Sequence, residues 1–459
     1  MALTQNWGLE LNRRISKPLA LILFLGCLIR LLFLYLLKDA QLVGDESDYY
    51  RLAIEVRDGQ GFQSIIRAPF YPYILSALFT LFHTTDLMPV KLFQPLISLL
   101  TTLLVYSLGK EVFGNKIGFL AAGIFCFYPT LLFFNAFILS ETVFIFLISC
   151  FLLTFVLYLN HRKLIFLIFS GLFLGLTTLC RSVALPISIF ITLYLWFGAH
   201  KTVIQKAKHI LLFLGCFILV IMPWAIRNYA VHHTFISVDL IGKIDFLIGN
   251  YQYTPLNRAW DAHITQIGER SWSYPLREQG LYDKMTEVQR MDWAFRQGVE
   301  FIIQHLVLTL KRGFIKFFNF WELERIPFSM AVRGLLGDSN KTVLALLAMS
   351  GWLFYLAIIF GSVFSFIYFF KNNVAVNSFF LLVITYFALI HSIIFGHPRY
   401  HLPLIPILVI YGSHAILNIK EVWNRKNSMT FSLAVLCCFF FLFVWSRQIY
   451  IHLNDLYLV

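Results

Sequence analysis

A chain of 459 residues that is 59% hydrophobic and only 13% charged is not a soluble domain, where roughly a quarter of residues carry charge. Many of its apolar runs reach 18 residues or more, the pattern of a polytopic membrane protein built from helices, because backbone in hydrocarbon must bond within itself. The formal charge of +13 does not call for nucleic acid: much of the basic charge falls in short loops between apolar runs, as the positive-inside rule expects, and the rest is mixed with acids.

The first apolar run, Pro18 to Leu37, is predicted to span. It is too long for a signal peptide and lacks a small-residue cleavage site, so it is read as an anchor. Arg13, Arg14 and Lys17 before it place the N-terminus in the cytoplasm. Arg30 inside the run has two readings: a side chain snorkelling to the far interface, or a partner for an acid or phosphate there. The run exits into Gly44-Asp45-Glu46-Ser47-Asp48-Tyr49-Tyr50. Three carboxylates within four residues, just outside a membrane helix, form a candidate base or metal site, although an ordinary solvated loop also begins this way.

The next apolar stretch, Pro69 to Phe82, is too short to cross and is predicted to lie in the interface. Charge parity agrees, because the loops Lys110–Lys116, His161–Lys163 and Lys201–His209 are basic and belong inside. Spans are then expected at about 90–109, 117–135, 141–160, 163–180, 183–199 and 208–226. A long polar segment, 227–341, follows outside, with a second interfacial helix over Phe301 to Trp321. Spans at about 342–370, 376–396, 401–418 and 430–450 complete an expected eleven, the long segment falling between the seventh and eighth. Three regions result: an N-terminal module, 1–226, containing the first external loop, 39–89; the external segment, 227–341; and the C-terminal helices, 342–459. The seven cysteines all lie in apolar runs without paired spacing in a loop, which speaks against disulfides or a zinc site.

Polar residues at the outer ends of these spans are few. Glu141 follows Ser140 at the start of a span. That is good helix N-terminal chemistry, and an acid at membrane depth is also a functional candidate. Arg67, Arg181, Arg227 and Arg399 gather on the same predicted side. Each alone is a plausible interface anchor; together they form a guanidinium cluster suited to phosphate oxygens. His397 and His401 have i, i+4 spacing, but Pro398 between them breaks the helix a metal pair would need. His232, His233 and His263 are expected at the surface.

These residues resemble the GT-C superfamily of integral membrane glycosyltransferases, in the branch of protein O-mannosyltransferases and the bacterial aminoarabinose transferase. The features are Gly44-Asp45-Glu46 with Tyr49-Tyr50 after the first span, Arg67-Ala68-Pro69-Phe70-Tyr71-Pro72, Ser140-Glu141, Pro223-Trp224 with Arg227-Asn228, and Arg399-Tyr400 with Pro403 and Pro406. The resemblance implies inverting transfer of a sugar from a polyprenyl-phosphate donor to an acceptor hydroxyl on protein, lipid or glycan. Transfer would occur at the external face of an inner or plasma membrane. It implies Asp45 as catalytic base, Glu141 as the family's later loop acid and Arg399 as a ligand of the donor phosphate. Arg67 precedes Ala-Pro where the family has a Pro-Pro pair, which leaves its role open. Some members hold a divalent metal; no compact ligand set is visible here, so no cofactor is assigned and a metal is left open.

The residue chemistry agrees with that reading. An inverting transfer needs a base for the acceptor hydroxyl and positive charge for a departing phosphate. Glu46 and Asp48 have two readings: they raise the pKa of Asp45 by like-charge repulsion, or they bind acceptor or metal. The candidate substrate contacts are Glu46, Asp48, Tyr49, Arg67, Glu141, Arg181, Arg227, Arg399 and Tyr400. The rival reading is a transporter or flippase of lipid-linked sugars. Against it, transporters tend to carry charge at mid-membrane and to use repeated, broken helices, neither of which the sequence displays.

Overall fold

The computed structural model describes residues 16–42, 44–198, 202–257, 271–337, 340–424, 426 and 428–456. Arg13, Arg14 and His263 lie outside them. Helix α1, Lys17–Leu36, leads into a first loop that carries α2, Asp45–Arg57, and α3, Phe70–Leu81, packed on each other. Then come α4, Met88–Phe113; α5, Asn115–Cys126; the short α6, Pro129–Phe134; α7, Glu141–His161; α8, Leu164–Cys180; α9, Ile187–Phe197; and α10, Val203–His232. The long polar segment forms α11, Ile241–Gly249; α12, Tyr274–Glu278; α13, Glu287–Gln304; α14, Leu306–Phe320; and α15, Ile326–Val332. The chain ends in α16, Lys341–Phe369; α17, Val374–Ile393; α18, Ile405–Leu417; α19, Ile419–Asn424; and α20, Met429–Leu456. No strand occurs among the described residues.

Seven helical segments among the described residues are long and apolar enough to cross a bilayer. One of them, Lys341–Ile393, is a hairpin that turns back at Phe370–Asn373. Most segments near the expected spans agree within a few residues. The expected span at 117–135 is corrected: helix stops at Cys126 and restarts at Pro129, with Tyr128 extended between them. Pro129 has no N–H to continue the ladder and disfavours helical backbone at the residue before it. The resulting α5, at about 1.5 Å per residue, covers only part of the membrane's depth.

That break explains Arg30, for which neither expectation holds. Its side chain is buried. It donates to the carbonyl of Cys126 at 3.0 Å, where α5 ends, to its own Gly26 carbonyl at 2.9 Å and to Ser98 Oγ on α4 at 2.9 Å. A carbonyl orphaned at a helix end must find a donor when water is excluded, and Arg30 supplies it. The guanidinium therefore neither snorkels nor meets a phosphate.

Helices α7 and α18 are the most enclosed segments, and their side chains form the core. Around them, α1, α10 and α20 turn leucine, isoleucine and phenylalanine outward, as lipid-facing helices do. Helix α14 is inverted in the same sense: Arg312, Lys316 and Asn319 are buried while Val307, Leu310 and Phe314 are exposed. Close helix contact is arranged by small residues. Gly171 and Gly175 on α8 meet α10, and a Cβ at Gly171 would stand 2.5 Å from the Phe213 carbonyl oxygen, the contact that a Gly-x-x-x-Gly pattern permits. Gly171→Leu should force the two helices apart. At about 1–3 kcal/mol for overpacking, a lower thermal midpoint in detergent is expected, and an unchanged one would contradict this packing.

Candidate active site

The first turn of α2 holds Asp45, Glu46 and Asp48, and helical spacing sorts them onto two faces. Asp45 and Asp48, three apart, both meet Arg67. Its Nη2 donates to Asp45 Oδ1 at 2.7 Å and to Asp48 Oδ2 at 2.8 Å. Glu46 and Tyr49, also three apart, face the loop before α7. Glu46 Oε1 accepts from the Ile138 amide at 2.7 Å, and the Tyr49 hydroxyl pairs with Ser140 Oγ at 3.2 Å. That loop is buried, so its backbone needs partners. Gln94 on α4 provides more of them, donating to the carbonyls of Asn135 and Phe137. Glu46 and Tyr49 thus hold the Glu141 segment against α2. Ser140 does not cap α7; its hydroxyl serves Tyr49 instead.

From Asp45 the charges continue in alternation. Arg399 Nη2 donates to Asp45 Oδ2 at 2.9 Å. The Nε of Arg399 donates to Glu141 Oε1, which also accepts from Arg181 Nη1 at 2.6 Å. The order is Asp48, Arg67, Asp45, Arg399, Glu141, Arg181: three carboxylates and three guanidiniums from sequence positions as far apart as 45 and 399. Glu141 is 2% exposed, and its Oε2 has no hydrogen-bond partner. Arg181 also lies over the ring of Tyr400, which stacks on His391 at 4.3 Å.

The expected rise in the pKa of Asp45 is corrected by this geometry. Burial does push the carboxyl up, but Arg399 and Arg67 outweigh it and hold it well below the usual carboxylate range. Glu46 is turned away, and Asp48 is paired through the same Arg67. Arg227 is not brought into the network; it donates to the Phe62 carbonyl and to Asn228 and lies over Trp224. His401 is buried at α18's entrance, donating to or accepting from Glu324 at 3.2 Å and stacked on Tyr355, while His397 Nδ1 accepts from the Arg399 amide.

Two acids of the site were not singled out from sequence. Asp239 accepts from Ser182 Oγ at 2.7 Å, next to Arg181; burial raises its carboxyl to about 6. Asp245 sits half-buried on α11, with Arg67, Asp45, Asp239 and Arg181 as the charges that bear on it. The available signal was a lone acid within Ile241-Gly242-Lys243-Ile244-Asp245-Phe246-Leu247-Ile248, an otherwise mostly apolar turn. Among the described residues no three His, Cys, Asp or Glu side chains gather as a metal-ligand set. The acids of the chain just described each spend oxygens on arginine, a poor fit for a divalent cation.

Residues 66–226 match the family model of dolichyl-phosphate-mannose-protein mannosyltransferases. Among solved structures, an archaeal oligosaccharyltransferase, AglB from Archaeoglobus fulgidus in complex with an inhibitory peptide and a dolichol-phosphate, aligns with 93% of this chain and 55% of its own, at 16% identity and a TM-score of 0.52. Over most of its length the chain shares its fold with that archaeal oligosaccharyltransferase. An Archaeoglobus fulgidus oligosaccharyltransferase tethered to an acceptor peptide aligns with 91% of this chain and 53% of its own, at 16% identity and a TM-score of 0.50. ArnT from Cupriavidus metallidurans bound to undecaprenyl phosphate matches at 10% identity, 90% and 81% coverage and a TM-score of 0.41. No curated protein matches by sequence. The chain spans about half the length of the archaeal structures it matches.

The alternating charges differ in burial, and that sets what each is worth in this site. Removing one partner of a buried ion pair costs about 3–5 kcal/mol, whereas a pair near water contributes about 1 kcal/mol or less. Glu141 is enclosed, whereas the Asp48 side chain is 40% exposed. Glu141→Gln is therefore expected to lower thermal stability clearly more than Asp48→Asn. Equal losses would mean that the Arg181–Glu141–Arg399 contact is not the buried anchor of the site.

Proposed function

We propose that this chain is a membrane glycosyltransferase that moves a sugar from a polyprenyl-phosphate donor to an acceptor hydroxyl at the external face, with inversion. The observation that carries the reading is the chain of paired charges from Asp48 to Arg181. Three guanidiniums are assembled from three distant segments at one end of the helices, which suits phosphate chemistry at one face more than passage through mid-membrane. The archaeal structure's bound dolichol-phosphate gives a lipid phosphate a precedent on this fold.

In the proposed reaction the donor phosphate competes with carboxylates for Arg399 and Arg181. Once Arg399 turns to the phosphate, Asp45 loses one of its two cationic partners and becomes a better proton acceptor. The acceptor hydroxyl gives its proton up through Asp45. Its oxygen attacks the anomeric carbon, and the bond from that carbon to the phosphate oxygen breaks with its electron pair. The departing polyprenyl phosphate carries one more negative charge, stabilised by the arginines. Residues 1–226 would carry the base, 227–341 would cover the acceptor side, and 342–459 would contribute Arg399. With eleven crossings, α3 and α14 lie in the interface and let the lipid tail remain in the bilayer.

Asp45→Asn should lower transfer by at least the ~10²–10⁴-fold typical of general acid–base groups, with the protein still inserted and folded. Retained activity removes Asp45 from the path of the proton. A reporter fused after Phe82 should register the external compartment, and a cytoplasmic signal there would reverse the sidedness.

A further inference from the structure

Helix α11 is latched to each of the segments that bring the arginines. The Leu240 amide, just before it, donates to the Ile65 carbonyl at 2.7 Å, two residues from Arg67. Asp239 is bonded to Ser182, beside Arg181. At the other end, Asn250 donates to the Ile393 carbonyl at 3.0 Å, and Lys316 bridges Asn250 and the same carbonyl. Gly249 allows the closest approach: a Cβ there would collide with the Ile394 carbonyl oxygen, at the start of the loop that delivers Arg399. The helix is thus fixed over the site from three directions, with Ile244, Leu247 and Ile248 buried beneath it.

Asp245 projects from this clamped helix into the same field of charge. Arg67 from the first loop, Asp45 from α2, Arg181 after α8 and Asp239 before α11 all act on it, and it is the foremost charge acting on Tyr400. Yet no hydrogen bond or ion pair engages its carboxyl among the described residues. Asp45 and Glu141 are each held by two arginines and Asp48 by one or more; Asp245 alone of the acids facing them is uncommitted and partly accessible. Lys243 on its own helix is taken by Asp292.

We propose that Asp245 is the carboxylate on which the acceptor's proton comes to rest. The inference rests on the transfer reaction proposed above. As the carbon–oxygen bond to the donor breaks, the phosphate gains a negative charge and the acceptor oxygen loses a proton. That proton passes through Asp45, which two arginines make a poor final holder, to Asp245, which becomes neutral as the phosphate becomes a dianion. Pocket charge is then the same before and after the transfer, and no charge builds up in a region of low dielectric. Burial pushes Asp245 up to about 7 even without the phosphate, close to the operating range of a proton carrier, and a dianion nearby moves it further up.

The test uses the full chain in detergent and undecaprenyl phosphate, a stand-in for the departing product. Binding is measured calorimetrically at about pH 8 in buffers of differing ionisation heat, which counts the protons taken up. The expected result is uptake approaching one proton per phosphate bound. Asp245→Asn should bind the lipid with that uptake abolished, and Asp245→Glu should restore it. Binding by Asp245→Asn with uptake unchanged overturns the role of Asp245 while leaving the phosphate site standing. Failure of the unaltered chain to bind undecaprenyl phosphate brings down both the site and this inference.

Discussion

Arg399 is the hinge of the site's electrostatics. One guanidinium faces Asp45 with its Nη2 and Glu141 with its Nε, and so joins the loop after α1 to the start of α7. Asp45 has Arg67, and Glu141 has Arg181, as its second cationic partner. Each arginine of the row is in turn compensated by the acids beside it, so the row is neutral while its members remain charged. Such a row can exchange partners with an incoming anion at modest cost, because each guanidinium is already largely withdrawn from water and aimed. An isolated arginine at the same depth would first have to shed water.

The rest of the fold serves that row by bringing helix ends together. The bilayer excludes charge from the middle of the helices, so the polar chemistry collects where α7 begins, where α8 ends and where the turn before α18 enters. The buried loop ahead of α7 is a result of the same constraint. It has no room for water, and Glu46, Gln94 and Tyr49 take over water's role. Two of these three, Glu46 and Tyr49, are candidate substrate contacts from the sequence, and the structure gives them a supporting role toward the Glu141 segment.

The membrane class, the positions of most long apolar helices and the gathering of arginines around the acids after the first span were legible in the sequence, because long apolar runs and isolated charges are strong signals against hydrocarbon. Other features were not. Pro129 marks a helix break only once the neighbouring helices are in place, since proline is tolerated in many membrane helices. Arg30 has no local feature that reveals its carbonyl partner at Cys126, 96 residues away. Arg227 carries the same basic signal as Arg181, and only tertiary packing decides that one meets a carboxylate and the other a backbone carbonyl. Asp239 and Asp245 lie in a long segment where acids and bases alternate, so their approach to the arginines depends on how α11 is clamped, which no spacing rule encodes.

The Arg30 contacts have a mechanical meaning. Helix α1 exposes most of its surface to lipid and buries little besides Leu19, Gly26, Arg30 and Phe33, so greasy packing alone would let it slide along its neighbours. Directional bonds to α4 and the end of α5 work as a peg through the bundle. Because the chain passes from α1 to Asp45 in a few residues, this peg limits how far the first carboxylate of the row can shift along the bundle.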